Sequence, residues 1–115
     1  MRIGLHIGLE EIENRLILRI DGRLDAASAP ILERKIDQLI EEHHYHLILD
    51  FARVDYLSSA GMRVLLSASK KLKVKKGTLI LFSLLDDVEE VIKMAGFEKI
   101  LSICSSEKEA LQKHQ

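Results

Sequence analysis

Two adjacent serines, Ser58 and Ser59, precede Ala60 and Gly61 where the sequence changes from strand-like to helix-like patterning. A serine at the start of a helix faces backbone N–H groups that lack helical partners, together with the positive end of the helix dipole. A phosphate of about −1.5 to −2 charge can be held there without melting the helix. The position is therefore typical of a regulated serine, and also of a serine that merely caps a helix.

The same turn contains half of a nucleophile elbow, the G-x-S-x-G turn of hydrolases. Ser59 and Gly61 match its second half, but Leu57 stands where the first glycine is needed. Apart from His114 near the end of the sequence, no histidine occupies an evident position for a catalytic triad. We therefore predict that the chain is not an enzyme.

Two other groups of residues could bind ions. His43, His44 and His46 are expected at the end of the first helix, where they would meet exposed carbonyl groups, and no fourth metal ligand is suitably spaced. A basic cluster at the end of the second helix favours a solvated helix end, although an acidic protein partner could use it; its members are Lys70, Lys71, Lys73, Lys75 and Lys76. We predict no metal and, without a phosphate-binding glycine loop, no cofactor.

Composition limits the classes of partner and compartment. The 115 residues carry a net charge of −1 and are 47% hydrophobic, which predicts one globular domain spanning residues 1–115. Aromatic residues make up 4% and Trp is absent, which disfavours nucleic-acid binding. A single cysteine, Cys104, excludes an internal disulfide and fits the cytoplasm. The N-terminal ten residues alternate in polarity, so we predict neither a signal peptide nor a membrane span.

Hydrophobic periodicity predicts the elements that position the serines. The first strand has apolar residues at alternate positions, and a turn at residues 13–15 leads to a second such strand: Ile3, Leu5, Ile7 and Leu9, then Leu16, Leu18 and Ile20. Residues 21–25 are predicted to form a loop. Ser28 or Asp25 can cap the first helix, which tolerates Pro30 in its first turn and has a buried stripe of Leu32, Ile36, Leu39 and Ile40.

The remaining sequence alternates between strands and helices. Strands are predicted at residues 47–51, 78–82 and 100–103, and a helix with Leu65, Leu66 and Leu72 begins near Met62 and ends at Gly77. A third helix has the stripe Val88, Val91, Ile92 and Ala95, and Ser106 with Glu109 forms a capping box for a fourth. This order favours an α/β fold with a mostly parallel sheet of about five strands and about four helices. The pattern leaves open whether the helices cover one face or both.

The chain as a whole resembles a STAS domain, the family of anti-sigma factor antagonists and of the cytoplasmic domains of sulphate transporters. The resemblance rests on four segments: Gly22-Arg23-Leu24-Asp25 with Ala29-Pro30, residues 47–51, residues 56–66, and Ala95-Gly96-Phe97 with Glu109-Ala110-Leu111. It implies a single STAS-like α/β domain with a mixed, mostly parallel sheet.

The resemblance also implies a modified serine and a face that binds a partner. In antagonists of the family, an anti-sigma factor that is a serine kinase phosphorylates a serine that aligns with Ser59. Ser58 occupies the preceding, usually acidic, position and stays an alternative site, and Ala60 stands where a second Ser or Thr is common. The implied partner-binding residues are Gly22, Arg23, Leu24, Asp25, Ser58, Ser59, Ala60, Gly61 and Met62.

The function that follows is that of a cytoplasmic anti-sigma factor antagonist. Unphosphorylated, the protein is expected to sequester an anti-sigma factor and so free a sigma factor for transcription. Phosphorylation at Ser59 would end the binding, and a phosphatase would restore it. The alternative is a STAS scaffold or accessory subunit of a signalling assembly or a lipid-transport complex.

Overall fold

The computed structural model describes residues 4–113, which form an alternating α/β fold. The elements are β1 (Leu5–Ile12), β2 (Arg15–Leu24), α1 (Ala29–Glu41), β3 (His46–Leu57), α2 (Ser59–Val74), β4 (Thr78–Phe82), α3 (Asp86–Met94), β5 (Ser102–Cys104) and α4 (Glu107–Lys113). Their order is the predicted one. Ile3 and His114, which entered the sequence predictions, lie outside the described residues. No helix within residues 4–113 is long and apolar enough to cross a membrane.

The sheet is mixed and mostly parallel, as predicted. Its strands lie in the order β1-β2-β3-β4-β5, with β1 antiparallel to β2 and the other neighbours parallel. The two-residue hairpin turn between β1 and β2 consists of Glu13 and Asn14, both with positive φ (52° and 66°). That conformation matches the twist of paired strands. Strand β3 is central, with two strands on each side.

Helices cover both faces of the sheet, which the sequence pattern left open. Because side chains alternate along a strand, Leu49 and Leu81 join the core beneath α1, α2 and α3. Ile48 and Ile80 point to the other face, where they pack with Ala110 of α4. Within the described residues, the fold therefore has three helices on one face and the short α4 on the other.

An ionic cluster ties α4 to the sheet on that second face. The guanidinium of Arg19 in β2 donates hydrogen bonds to Glu10 at 2.8 Å, Asp50 at 3.1 Å and Glu107 at 2.6 Å. These carboxylates belong to β1, β3 and the first turn of α4. The hydrogen bond with Glu107, supported by those with the other two, raises the pKa of Arg19 above its usual value. Arg19 of β2 thus links β1, β3 and α4.

Strand β2 continues past the point where the sequence predicted a loop. Asp21 to Leu24 remain in the sheet because all four pair with β3, through two irregularities in the register, and Asp21 and Gly22 also pair with β1. Gly22 permits this path, since its φ is +131° and a Cβ there would lie 2.5 Å from the carbonyl oxygen of Gly4. The loop therefore begins at Asp25, directly after the strand.

The histidines follow α1 instead of occupying its last turn. The helix ends at Glu41, and His46 is already the first residue of β3. His43 adopts a left-handed conformation (φ 69°), and its N–H donates to the carbonyl of Ile40 while that of His44 donates to Leu39. These contacts make the histidine segment a helix-terminating turn.

The end of α2 also differs from the prediction. The left-handed residue is Lys76 (φ 60°), one position before the glycine expected to fill that role. Gly77 is required for a different reason, because a Cβ at this position would lie 1.9 Å from the carbonyl oxygen of Tyr45. Its N–H donates to the carbonyl of Leu72 and closes the helix. Gly77 thus permits a close approach of two chain segments.

The segment after α3 differs from the sequence prediction at two residues. Ala95 is exposed and follows the helix as its C-cap, so it is not part of the buried stripe. Ile100 is 59% exposed and precedes β5, because its N–H and that of Leu101 bond back to the carbonyl of Phe97 in a turn. By contrast, the predicted cap of α4 is confirmed by a hydrogen bond from the Glu109 N–H to the Ser106 hydroxyl.

We predict that Gly77→Ala lowers the free energy of unfolding by about 1–3 kcal/mol, because the methyl group must displace the backbone at Tyr45. Chemical denaturation measures the change. Gly8→Ala is the matched control, since a Cβ there meets nothing closer than 3.9 Å. Equal stability of the Gly77 variant and the wild type would contradict the close approach.

Candidate functional site

The predicted serines and the loop after β2 meet at one edge of the sheet. Parallel strands β2 and β3 end side by side, with Leu24 paired to Leu57. Asp25 follows the first strand and Ser58 the second, so both connections to the next helix leave from the same edge. Ligand sites in α/β sheets are commonly built from connections at the carboxyl ends of the strands. The fold therefore brings together two segments that are distant in sequence.

Ser58 is the N-cap of α2, and its hydroxyl is fully engaged by the fold. Its Oγ accepts a hydrogen bond from the N–H of Gly61 at 3.1 Å and donates one to the carbonyl oxygen of Leu24 at 3.1 Å. The backbone N–H of Ser58 donates to the same carbonyl at 2.9 Å. Ser58 therefore fastens the start of α2 to the end of β2.

Ser59 is the first residue of α2 and has a different environment. Its side chain is exposed, and within residues 4–113 its hydroxyl forms no hydrogen bond. In the same part of the chain, neither a histidine nor a carboxylate is placed to take its proton, so nothing there activates it as a nucleophile. The hydroxyl is open to a group brought by another molecule. The absence of catalysis by this chain stays a prediction.

Gly61 lets α2 lie directly against the end of β2. A Cβ on this residue would lie 2.7 Å from Cγ of Leu24, 2.8 Å from its carbonyl oxygen and 2.9 Å from Cδ1 of Leu57. Distances below about 3 Å are not tolerated between such atoms, so no larger residue fits without a backbone shift. The absence of a side chain at Gly61 thus determines how closely the helix that carries Ser59 approaches the sheet.

The nine residues predicted to bind a partner divide by exposure. Arg23 and Ser59 are exposed, and Asp25, Ser58 and Ala60 are partly exposed. The other four are buried and support this surface from beneath: Gly22, Leu24, Gly61 and Met62. A docked protein would contact the five exposed or partly exposed residues directly. The four buried residues would affect its binding only by maintaining the shape of the surface.

Both residues considered as caps of α1 order the loop after β2. Oδ1 of Asp25 accepts hydrogen bonds from the N–H groups of Ala27 at 3.1 Å and Ser28 at 3.0 Å. Ser28 is the N-cap by position, but its hydroxyl donates back to the carbonyl of Arg23 at 2.6 Å and does not bond to the helix. The hydrogen bond from the backbone of Ser28 is the main cause that lowers the pKa of the Asp25 carboxyl. That carboxylate is therefore charged at neutral pH and holds the loop in one shape.

An exposed cation–aromatic pair lies at the same edge. The guanidinium carbon of Arg23 is 4.2 Å from the centre of the Tyr56 ring, and its Nε is 3.7 Å from Oδ2 of Asp25. Arg23 and Tyr56 lie opposite each other in the pairing of β2 with β3. Sequence reasoning missed Tyr56, because its contact with Arg23 depends on that register. Arginine and tyrosine are common anchors of protein interfaces.

A groove of about 760 Å³ lies beside the serine on the side of α1. Ala60, Arg63 and Val64 of α2 form one wall, and Pro30 of α1 and Phe97 line other parts of it. Sequence reasoning did not identify Arg63 as part of the site. The spacing in the sequence could have identified it, because Arg63 lies one helical turn after Ser59 and therefore on the same side of α2. The groove extends the candidate surface with apolar lining and with charges of both signs, from Arg63 and Lys70 and from Glu33.

Comparison with known proteins gives a consistent family. A model of the STAS domain matches residues 6–110. BtrV of Bordetella bronchiseptica is 32% identical over 106 residues, which cover 92% of this chain and 91% of BtrV. The anti-sigma F factor antagonist of Paenibacillus polymyxa is 26% identical over 110 residues, covering 95% and 94% of the two chains.

The fold is similar to that of the anti-sigma factor antagonist SpoIIAA in its unphosphorylated form. The TM-score is 0.79 at 23% identity, with 94% of this chain and 95% of the other covered. The phosphorylated form of SpoIIAA from Bacillus gives a TM-score of 0.72, with 96% and 100% covered at 21% identity. At these sequence identities, the similarity to the two SpoIIAA structures shows a shared fold and nothing more.

The two serines should differ in their effect on stability. We predict that Ser58→Ala lowers the free energy of unfolding by about 1 kcal/mol because it removes the cap, whereas Ser59→Ala changes it by less than about 0.5 kcal/mol. Ser58→Thr keeps the acceptor for the Gly61 N–H and the donor to the Leu24 carbonyl, and serves as the matched control. Denaturant titration of the three variants compares them, and a Ser59→Ala variant less stable than Ser58→Ala would refute this assignment of the cap.

Proposed function

Because the chain belongs to the STAS domain family, we propose that it acts as an anti-sigma factor antagonist regulated at Ser59. In this proposal the unphosphorylated protein binds an anti-sigma factor that is also a serine kinase, and a sigma factor is thereby freed for transcription in the cytoplasm. The kinase phosphorylates Ser59 and ends the binding, and a phosphatase restores it. Relatives named as anti-sigma factor antagonists support this class of partner.

The observation that carries the proposal is the contrast between the two serines. The hydroxyl of Ser58 donates to Leu24 and accepts from Gly61, so its modification would break two contacts that hold α2. The hydroxyl of Ser59 is exposed and has no such role. A kinase therefore reaches Ser59 without opening the fold, which favours Ser59 over Ser58 as the modified residue.

A phosphate on Ser59 would also be compatible with the helix that carries it. The first turn of α2 contains no acidic residue that would repel the added charge. Backbone N–H groups without helical partners and the dipole of α2 both favour a negative charge at this end. The modified protein is therefore expected to stay folded, so that phosphorylation acts on binding.

The exposed surface around Ser59 offers anchors for a partner. Arg23 and Tyr56 lie at the same edge of the sheet, and the groove lined by Ala60 and Arg63 lies beside them. A protein that covers this surface would remove water from Ser59. A phosphate placed there would have to lose its hydration on docking, and its bulk and charge would meet a partner surface that fits the neutral hydroxyl, which weakens docking.

We predict that incubation with the anti-sigma factor kinase and ATP adds one phosphate at Ser59, as measured by mass spectrometry. Ser59→Ala should abolish the modification because it removes the accessible hydroxyl. Ser58→Asp, which retains an N-cap, should still be modified. Persistence of the phosphate in Ser59→Ala together with its loss in Ser58→Asp would place the modification on Ser58 and contradict the proposal.

Ser59→Asp should separate binding from folding. Asp is favourable near a helix N-terminus, so the free energy of unfolding should change by less than about 1 kcal/mol. Binding to the anti-sigma factor should weaken by about 2–5 kcal/mol, which is about 30-fold to several-thousand-fold in affinity. Denaturation and titration calorimetry on the same samples measure both quantities.

Gln112→Glu is the matched control for charge, because it adds the same negative charge at an exposed position on α4, on the other side of the sheet. It should leave affinity within about twofold of the wild type. Unchanged affinity in Ser59→Asp, or a loss explained by unfolding, would contradict exclusion of charge as the mechanism.

A further inference from the structure

Four lysines line a cleft at the edge of the sheet opposite to Ser59. The cleft has a volume of about 550 Å³ and is bordered by Gly77 and Thr78, where β4 begins. Its lysines come from α2, from the turn before β5 and from the end of α4; they are Lys70, Lys73, Lys99 and Lys113. Three separate segments thus direct positive charge toward one depression.

The charge of these lysines is not balanced within the described part of the chain. None of the four forms an ion pair with residues 4–113. By contrast, Lys71, which lies beside Lys70 on α2, pairs with Asp37 at 2.8 Å. No Asp or Glu lines the cleft. The helix dipoles account for Lys73 and Lys113, which are in the last turns of α2 and α4, but not for Lys70 or Lys99. Since clustered like charges oppose folding, the stability of the fold does not explain this arrangement.

The floor of the cleft is apolar, and hydroxyl groups lie on its walls. Leu66, Leu79 and Ile100 contribute apolar surface, and Ile100 is 59% exposed. Ser69 and Ser102 provide hydroxyls. Lysine ammonium groups act as separate point charges on flexible stems and lack the paired donors that arginine offers to a single phosphate or carboxylate. These features fit several separated carboxylates that alternate with apolar groups.

The positive surface continues beyond this cleft. A second cleft of about 500 Å³ shares Lys99, Ile100, Ser102 and Lys113 with the first and adds Lys93. Glu89 and Glu98 also line this second cleft, so its charge is partly compensated. The excess of cations therefore lies in the first cleft and in the wall that the two clefts share.

We propose that these joined clefts, the lysine cleft, bind an acidic segment of a partner protein whose carboxylates alternate with apolar side chains. The carboxylates would pair with the four lysines, and the apolar side chains would cover Ile100 and the adjacent floor. The lysine cleft shares Leu66, Lys70 and Ile100 with the groove beside Ser59, but Lys73, Lys99 and Lys113 do not line that groove, so the segment would bind irrespective of phosphorylation. The inference goes beyond the proposed function and does not depend on it.

The test uses a short fluorescein-labelled peptide in which Glu and Leu alternate, titrated with the full unphosphorylated chain. Fluorescence anisotropy should show binding that weakens with added salt, and a peptide with Gln in place of Glu should bind much more weakly. Lys70→Gln combined with Lys113→Gln should weaken binding about five- to tenfold, since each exposed pair contributes modestly. Lys71→Gln with Lys108→Gln removes the same charge from the same two helices outside the cleft and should stay within about twofold.

Amide chemical shifts locate the bound peptide. Changes at Ser69, Ile100 and Ser102, with none at Ser59 and Gly61, are the expected result. Equal loss of binding in the two double variants, binding by the Gln peptide as strong as by the Glu peptide, or shifts centred on Ser59 would overturn the proposal. Displacement of the peptide by inorganic tripolyphosphate that binds more tightly would also overturn it, because the ligand would then be a small phosphate anion.

Discussion

The carbonyl oxygen of Leu24 joins the parts of the molecule on which the candidate site depends. It ends β2 and accepts hydrogen bonds from both the backbone and the hydroxyl of Ser58. The same oxygen approaches Gly61 so closely that a side chain there would collide with it. A buried acceptor satisfied in this way is costly to disturb, because a lost partner leaves it unpaired. The start of α2, and with it Ser59, is therefore positioned by the end of a strand that is distant in sequence.

This arrangement separates support of the fold from regulation in two adjacent residues. Ser58 caps the helix and contacts β2, whereas Ser59 presents a hydroxyl that the fold does not use. A charge added to the second residue can act on a docked partner while the first residue keeps the helix in place. The loop after β2 is ordered just as locally, by the carboxylate of Asp25 and the hydroxyl of Ser28. Such a surface is prepared before a partner arrives, so little ordering entropy is lost on binding.

Helix α2 connects two surfaces of different character. Its first turn is at the edge of the sheet that carries Ser59, and its last turns contribute Lys70 and Lys73 to the opposite edge. The core beneath it is mostly aliphatic and is rigid, as close-packed interiors are. The two surfaces adjoin at Leu66, Lys70 and Ile100, which line both, and a partner could use both at once without strain in the domain. Two modest contacts on one rigid body can combine into stronger overall binding.

The sequence alone was sufficient to predict the order of all nine elements found in residues 4–113, the mixed sheet and the family. These features follow from hydrophobic periodicity and motif spacing, which can be read from residues that are close together in the chain. The extension of β2 to Leu24 and the exposure of Ile100 were not predictable in this way. The first depends on pairing with β3, which continues to Leu57, and the second on a turn closed by the carbonyl of Phe97. The sequence likewise placed two serines at a helix start but could not distinguish their roles. Only the tertiary structure brings Leu24 to Ser58, or Lys113 to Lys70, because contacts between residues far apart in the chain are set by how sheet and helices pack.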